Sequence, residues 1–194
     1  MATRHEFVIR PLKAADAATY RRCRLEQLEA DPDAFGESVD EAASVPIDAI
    51  AARLGSAPED GCVVGAFDGD ALVGTAGWFR FRENKTCHKG RVWGVYITPA
   101  HRSRGLGRSL LKALVAAAGK AGVEQLTLSV AVTQAAARHL YASIGFEVIG
   151  REPRALKIGD RYVDEDLMLL RLATNDHDSR PRPMTNNERP TTND

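Results

Sequence analysis

The chain of 194 residues carries 26 basic and 26 acidic residues, so its formal net charge is zero at pH 7. This balance argues against a general binder of nucleic acid or of anionic membrane surfaces. The hydrophobic fraction of 44% allows a full core, and the length suits one domain with a tail.

Cysteine usage and hydropathy favour a cytoplasmic protein without a metal site. Cys23, Cys62 and Cys87 lie far apart and form neither a CxxC motif nor a metal-binding pattern with histidine. Residues 1–10 carry charges where a secretion signal needs an apolar core. The longest apolar stretch, residues 113–118, is far too short to span a bilayer, so we expect no membrane partner.

Apolar periodicity and the positions of glycine and proline predict alternating strands and helices. In chain order these are a strand at 7–10, helices at 14–29 and 46–54, strands at 62–67, 71–81 and 89–98, a helix from 105 to about 120, a strand at 124–130, a helix at 134–142, and strands at 146–149 and 162–172. Polar stretches at 33–45, 82–88 and 153–160 predict loops.

The strands between residues 62 and 98 predict an antiparallel meander. Asp68-Gly69 is typical of a tight turn between the first two of them. Gly74 and Gly77 interrupt the second strand, which indicates a bulge or a close approach of another chain segment. The strand–helix–strand unit that follows should be parallel and right-handed.

Residues 95–111 combine a strand, a basic glycine loop and a helix. Pro99 ends the strand, and the helix begins at Gly105. The first N–H groups of a helix lack internal partners, and its start carries about half a positive charge. Gly105 and Gly107 have no Cβ, so an anionic group can approach the backbone. Three arginines add positive charge to the same loop: Arg102, Arg104 and Arg108.

Three kinds of phosphate loop can be compared with this stretch. The nucleotide P-loop needs a lysine directly after its last glycine, and Arg108 stands there. The dinucleotide fingerprint needs a third glycine where Leu110 stands, although Glu124 lies about where its ribose-binding acid is expected. The pattern Arg/Gln-x-x-Gly-x-Gly/Ala is matched by Arg102, Gly105 and Gly107. A plain glycine turn with solvated arginines is the alternative without a ligand.

Together with a second motif at residues 128–146, this loop resembles the coenzyme A site of the GNAT acyltransferases. The second motif is a strand, a polar residue and a short helix, and its matching positions are Ala137, Leu140, Tyr141, Gly145 and Phe146. Gln134 stands where the family usually has Asn. The resemblance covers roughly residues 9–172, and residues 93–96 and 162–168 look like a large bacterial branch of the family.

The resemblance implies an α/β fold of the α+β type, with a mixed and mostly antiparallel sheet flanked by helices. The strand ending near Thr98 would splay from the strand ending near Val132, and the pantetheine arm of acetyl-CoA would satisfy the backbone groups left unpaired there. The residues implied to bind acetyl-CoA are Tyr96, Ile97, Arg102, Ser103, Arg104, Gly105, Leu106, Gly107, Arg108 and Gln134.

The resemblance also implies direct transfer of an acetyl group to a primary amine of a small molecule, peptide or protein. Tyr141 matches the family's general acid, and packing beside Phe146 is its structural alternative. His88 is a candidate base because histidine titrates near neutrality. A Tyr-x-Asp-Glu cluster that includes Asp164 and Glu165 could attract a cationic amine. A water relay without a dedicated base is the other option.

The remaining expectations concern organisation and rival functions. Residues 1–173 would form the catalytic domain, and residues 174–194 are too poor in apolar side chains to fold. A homodimer is compatible with the resemblance. The rival functions are a non-catalytic acyl-CoA-binding regulator and a dinucleotide-binding domain, and the identity of the acceptor amine is open.

Overall fold

The computed structural model describes residues 7–172, so the predicted tail at 174–194 lies outside the described residues. The strands are β1 Val8–Pro11, β2 Gly61–Asp68, β3 Ala71–Arg80, β4 Lys89–Ile97, β5 Gln125–Ala131, β6 Glu147–Ile158 and β7 Arg161–Arg171. The α-helices are α1 Ala17–Ala30, α2 Val39–Ser44, α3 Ile47–Leu54, α4 Leu106–Lys120 and α5 Ala135–Ile144. Within residues 7–172, no helix has both the length and the apolar character needed to cross a membrane.

The seven strands form one sheet in the order β1-β2-β3-β4-β5-β7-β6. All neighbours are antiparallel except β4 and β5, which run parallel because α4 connects them. This confirms the predicted mixed sheet, with its antiparallel meander and its single parallel unit.

The two faces of the sheet carry separate hydrophobic clusters. On one face α4 buries Leu110, Leu111 and Leu114 completely, at helical spacing, against the strands. On the other face α1 and α3 bury Tyr20 and Ile50. The helices therefore cover the sheet from both sides.

The parallel strands β4 and β5 stay paired only from Lys89↔Gln125 to Arg91↔Thr127. Beyond Arg91 the two strands part, which confirms the predicted splay. The pairing of β3 with β4 skips Gly94 and Val95, because Gly77 pairs with Trp93 and Thr75 with Tyr96. The resulting bulge needs glycine, since Gly94 has φ +61°.

The predicted bulge or close approach at Gly74 and Gly77 is confirmed. The register of β3 against β4 shifts between Thr75 and Gly77. A Cβ at Gly77 would lie 2.6 Å from the ring of Trp93, so the indole packs directly on the glycine backbone.

The predicted loop at 33–45 is wrong, because it contains the short helix α2. Ser38 accepts a hydrogen bond from the amide of Glu41, and the Glu41 carboxylate accepts one from the amide of Ser38 at 2.7 Å. This capping box stabilises a helix start, and its Ser-x-x-Glu signature is visible in the sequence.

The predicted loop at 153–160 is also largely wrong, since β6 continues to Ile158. Its register against β7 shifts between Glu152 and Leu156. Pro153 is tolerated in this stretch because β6 is an edge strand, where a missing N–H need not remove a ladder bond.

Candidate functional site

A cleft of about 800 Å³ opens where β4 and β5 part. Its walls are the separated ends of these strands, the loop before α4 and the start of α5. On the other side it is bordered by the segment between α1 and α2 and by Leu156 of β6 and Glu165 of β7.

The start of α4 presents free backbone amides to this cleft. Gly105 caps the helix with φ +76°, a left-handed conformation that glycine adopts without strain. The first backbone bond at this end runs from the amide of Ser109 to the carbonyl of Gly105 at 3.1 Å. The amides of residues 106–108 therefore lack partners one turn back, at the positive end of the helix dipole.

Nine of the ten predicted cofactor residues line the cleft: Tyr96, Ile97, Ser103, Arg102, Gly105, Leu106, Gly107, Arg108 and Gln134. Arg104 is not among the residues that line it. The phenol of Tyr96 packs against the α1 side and donates a 3.1 Å hydrogen bond to Glu26. The contribution of Tyr96 to the cleft is therefore mainly its backbone.

The sequence predicts that the side chain of Arg102 adds positive charge to the glycine loop before α4, but in the structure it is bound elsewhere. Its Nε donates to the carbonyl of Ile97 at 3.0 Å, and its guanidinium forms an ion pair with Asp31. Arg102 thus fixes the end of β4 and connects it to the end of α1, while Arg108 is the arginine of the α4 start that lines the cleft.

Tyr141 lies on α5 and reaches the cleft from the α4 side of the sheet. Its ring contacts that of Phe146 edge-on, with centroids 6.0 Å apart. Burial raises the pKa of the Tyr141 phenol well above its usual range, so the hydroxyl stays protonated at neutral pH.

Three polar side chains meet on the sheet face opposite α4. Leu128 and Val130 of β5 belong to the α4 core, so the alternation along the strand turns Ser129 to the other face. There Arg91 donates a 2.8 Å hydrogen bond from Nη2 to the hydroxyl of Ser129. Glu165 of β7 lies across from Ala131, on the same face.

Burial raises the pKa of Glu165 above that of an ordinary glutamate. Arg91 opposes this rise through its positive charge, and Glu152, its neighbour in register on β6, adds to it. The cleft thus contains a carboxylate that can take up a proton closer to neutral pH than a solvated one.

The structure does not bring His88 or Asp164 into the cleft. His88 lies just before β4, at the end where the two parallel strands are still joined, and its carbonyl accepts a 2.8 Å hydrogen bond from the amide of Glu124. The Asp164 carboxylate accepts a 2.8 Å hydrogen bond from the amide of Arg154, at the irregularity of β6. The carboxylate of Asp164 thus binds the backbone of β6 and does not face the cleft.

Arg91 and Ser129 line the cleft but were not predicted from the sequence. The signal that could have found Arg91 is its position two residues before Trp93 on a strand that lines the splay, since side chains two apart share a face. Within residues 7–172, no group of three or more His, Cys, Asp or Glu side chains is arranged to hold a metal ion. Cys23, Cys62 and Cys87 are all free thiols.

Comparison with known proteins places these features in one family. Residues 22–146 match the profile of the Acetyltransferase (GNAT) family. The solved structure of the GNAT-family acetyltransferase from Streptococcus pneumoniae superposes with a TM-score of 0.78 at 23% identity, over 86% of this chain and 100% of that chain. A phosphinothricin acetyltransferase from Sinorhizobium meliloti, solved with acetyl-CoA, has a TM-score of 0.70 at 22% identity, over 86% and 88% of the two chains.

A curated relative is the L-methionine sulfoximine/L-methionine sulfone acetyltransferase of Salmonella typhimurium. It is 37% identical over 79 residues, which are 40% of this chain and 46% of that protein. The chain spans between 25% and 58% of the length of the curated relatives that it matches. The family profile covers more than half of the chain, and the fold is the one that its members share. The chain belongs to the GNAT acetyltransferase family.

Proposed function

We propose that the chain transfers the acetyl group of acetyl-CoA directly to a primary amine of a small molecule, peptide or protein. The observation that carries this proposal is the parting of β4 and β5 after Arg91, directly beside the free amides at the start of α4. Parted strands leave backbone donors and acceptors that an amide-bearing arm can satisfy. Acetyl-CoA supplies the activated thioester, and the residues of the cleft bind, orient and exchange protons with the reactants.

The start of α4 fits a pyrophosphate. A Cβ at Gly105 would meet no atom within 4 Å, so the space over this residue is open. The amides of residues 106–108 point their free N–H groups into the loop, and Arg108 adds a cationic side chain beside them. Gly107 packs closely on α5, where its Cβ would lie 3.0 Å from the side chain of Leu140.

The bulge in β4 provides a donor for the negative charge that develops on the thioester oxygen. The carbonyl of Gly94 is held by the hydroxyl of Thr75 on β3, at 3.1 Å. The C=O and N–H of a trans peptide unit point in opposite directions, so the amide of Val95 is directed away from β3. That direction leads toward the side from which β5 has parted, where an N–H can stabilise the developing charge.

Tyr141 gives its phenolic proton to the departing sulfur. Its raised pKa keeps the phenol protonated at neutral pH, so the hydroxyl is available to hydrogen-bond the departing sulfur and to supply its proton. The free cysteines are not needed for an acyl-enzyme in this scheme, because the amine attacks the thioester directly.

The test is thiol release from acetyl-CoA with a panel of amines, combined with thermal unfolding in acetyl-CoA or NAD. A ligand at a hundred times its Kd stabilises the folded state by about 2.7 kcal/mol. Acetyl-CoA should raise the Tm, and NAD should leave it unchanged. Stabilisation by acetyl-CoA with no thiol release for any amine would instead identify a non-catalytic acyl-CoA binder.

A further inference from the structure

We propose that the acceptor is an amine that carries its own carboxylate, as an α-amino acid does, with Arg91 binding the carboxylate and Glu165 receiving the ammonium group. This inference rests on the proposed acetyl transfer and names the substrate class of the same cleft.

Arg91 and Glu165 face one space from two strands. Arg91 is the last residue of β4 that is still paired with β5, so its side chain lies at the apex of the splay. Glu165 reaches the same cleft from β7, across from the end of β5 at Ala131. Both lie on the sheet face opposite α4, and the segment containing Phe35 borders the same cleft.

The other charged side chains on this side of the cleft are already engaged. Arg24 forms an ion pair with Glu37 at 2.7 Å, and Arg102 forms one with Asp31. The ring of His101 contacts the hydroxyl of Thr98 at 2.8 Å. Arg24 and Arg102 are thus each already paired with a carboxylate.

Arg91 and Glu165 differ from those groups. Among the described residues, the side chain of Glu165 has neither an ion pair nor a hydrogen bond, and the side chain of Arg91 has one hydrogen bond, to Ser129. A guanidinium carries five N–H donors, so most of those of Arg91 are unused. The two charges influence each other without an ion pair within 4 Å. A zwitterionic ligand can offer a carboxylate to Arg91 and an ammonium group to Glu165 at the same time.

The chemistry of the two groups matches the two ends of an amino acid. A planar guanidinium holds a carboxylate by two parallel hydrogen bonds. A carboxylate in a partly buried site attracts an ammonium group and can then take its proton, which frees the nitrogen lone pair for attack. Trp93 and Leu156 line the same cleft and offer an apolar wall to the side chain of the acceptor.

The protons balance in this scheme. Of the three ammonium protons, one passes to Glu165 and then to solvent, and one stays on the new amide nitrogen. The third replaces the proton that Tyr141 gives to the sulfur when the C–S bond breaks and the C–N bond forms.

The first experiment compares L-phenylalanine with 2-phenylethylamine, and L-leucine with 3-methylbutylamine, in the thiol-release assay. In the wild-type protein each amino acid should have a kcat/KM at least about tenfold above that of its amine, a difference typical of one charge-assisted contact. Arg91→Gln should bring that ratio close to one, mainly by raising the KM of the amino acid. The amino acid and the amine differ in intrinsic reactivity, but this difference cancels when the ratio in Arg91→Gln is compared with the ratio in the wild type.

Arg171→Gln is the matched control, since Arg171 is exposed at the joined end of β5 and β7, outside the cleft. It should leave the ratio unchanged. An equal preference for both members of each pair in the wild type, or a ratio that Arg91→Gln does not move, would overturn the inference while leaving acetyl transfer intact. Failure of every amine, including polyamines and peptides, would instead remove the proposed function.

The second experiment measures kcat against pH for Glu165→Gln. In the wild type, kcat should fall on the acid side as Glu165 becomes protonated, with Arg91 and Glu152 as the charged groups that face it. In Glu165→Gln, kcat should show no plateau above the pKa of Glu165. It should instead keep rising by about tenfold per pH unit with the fraction of free amine, since only the free amine then reacts. A variant with the wild-type profile would exclude Glu165 as the proton acceptor.

Discussion

The hydroxyl of Thr75 donates a hydrogen bond to the carbonyl of Gly94 at 3.1 Å, from the middle of β3 to the bulge of β4. The same hydroxyl accepts a 3.2 Å hydrogen bond from Gln27 of α1, and the side-chain oxygen of Gln27 accepts one from Arg24. Thr75 and Gln27 are almost completely buried. A chain of polar contacts thus connects α1 to the peptide unit that directs the Val95 amide.

Thr75→Val should therefore reduce turnover. Valine has nearly the same shape but removes the donor to the partly buried carbonyl of Gly94 and the acceptor of the buried Gln27 amide, at a cost of about 1–3 kcal/mol in the free energy of unfolding. A bulge that is no longer fixed holds the Val95 amide less accurately, so kcat should fall by about tenfold or more. Steady-state kinetics and urea denaturation measure the two effects.

Thr75→Ser is the matched control, because it keeps the hydroxyl and removes one methyl group. It should restore most of kcat even if it is less stable than the wild type. The positioning role would be refuted by a Thr75→Val protein that is destabilised but has wild-type kcat, since the hydrogen bond would then be structural alone.

Tyr141→Phe tests the proton donor. Removing the phenolic oxygen leaves the ring and its edge contact with Phe146, so the fold and the affinity for acetyl-CoA should change little. Turnover should fall by about a hundredfold, the usual scale of a lost general acid. Tyr162→Phe, at an exposed tyrosine of β7, provides the control and should be active. Wild-type turnover in Tyr141→Phe would leave the tyrosine with a packing role only.

Much of this fold could be predicted from local signals in the sequence. Pro46 and Gly55 delimit α3, and Gly105 and Gly122 delimit α4, because these residues act on the backbone where they stand. The extension of β6 past Pro153 could not be predicted, since a proline is tolerated there only because the strand lies at the sheet edge. Edge position is a property of the assembled sheet.

Some residues of the site could likewise be predicted from local motifs, and others could not. The α4 start and Tyr141 lie in contiguous motifs, so the sequence predicted their place in the cleft. Arg91 and Glu165 are 74 residues apart in the chain, and only the pairing of β5 with β7 brings them to the same face of the sheet. Conversely, His88 is close to Arg91 in sequence but lies before the point where the strands part.

Gly105→Val should weaken the binding of acetyl-CoA. Gly105 has φ +76° and open space around it, so the penalty comes from the left-handed backbone and from the side chain placed over the amides of α4. Isothermal titration should show an affinity lower by about tenfold or more. Gly159→Val is the control, because Gly159 also has φ +60° and open space but does not line the cleft. An unchanged affinity in folded Gly105→Val would contradict the assignment of the loop.

Asp166 connects three elements of the site's scaffold and should make stability depend on pH. Its buried carboxylate on β7 receives a 2.8 Å hydrogen bond from Arg151 of β6 and contacts Arg138 of α5 at 2.6 Å. Arg138 lies one turn before Tyr141 on α5. The hydrogen bond from Arg151, together with the charges of both arginines, holds the pKa of Asp166 below its usual range.

Asp166→Asn should lower the free energy of unfolding at pH 7 by about 1–2 kcal/mol, a value reduced by the solvent exposure of both arginines. Because the folded pKa is depressed, the contribution of Asp166 is complete above the unfolded value of about 3.9. It is lost as the pH falls through the lower folded value. Urea denaturation should therefore show a constant difference between wild type and Asp166→Asn from pH 7 to pH 5, shrinking below about pH 4. Asp160→Asn, in the exposed turn between β6 and β7, should show no such difference. A gap that persists unchanged at pH 3 would mean that the charge of Asp166 does not stabilise the fold.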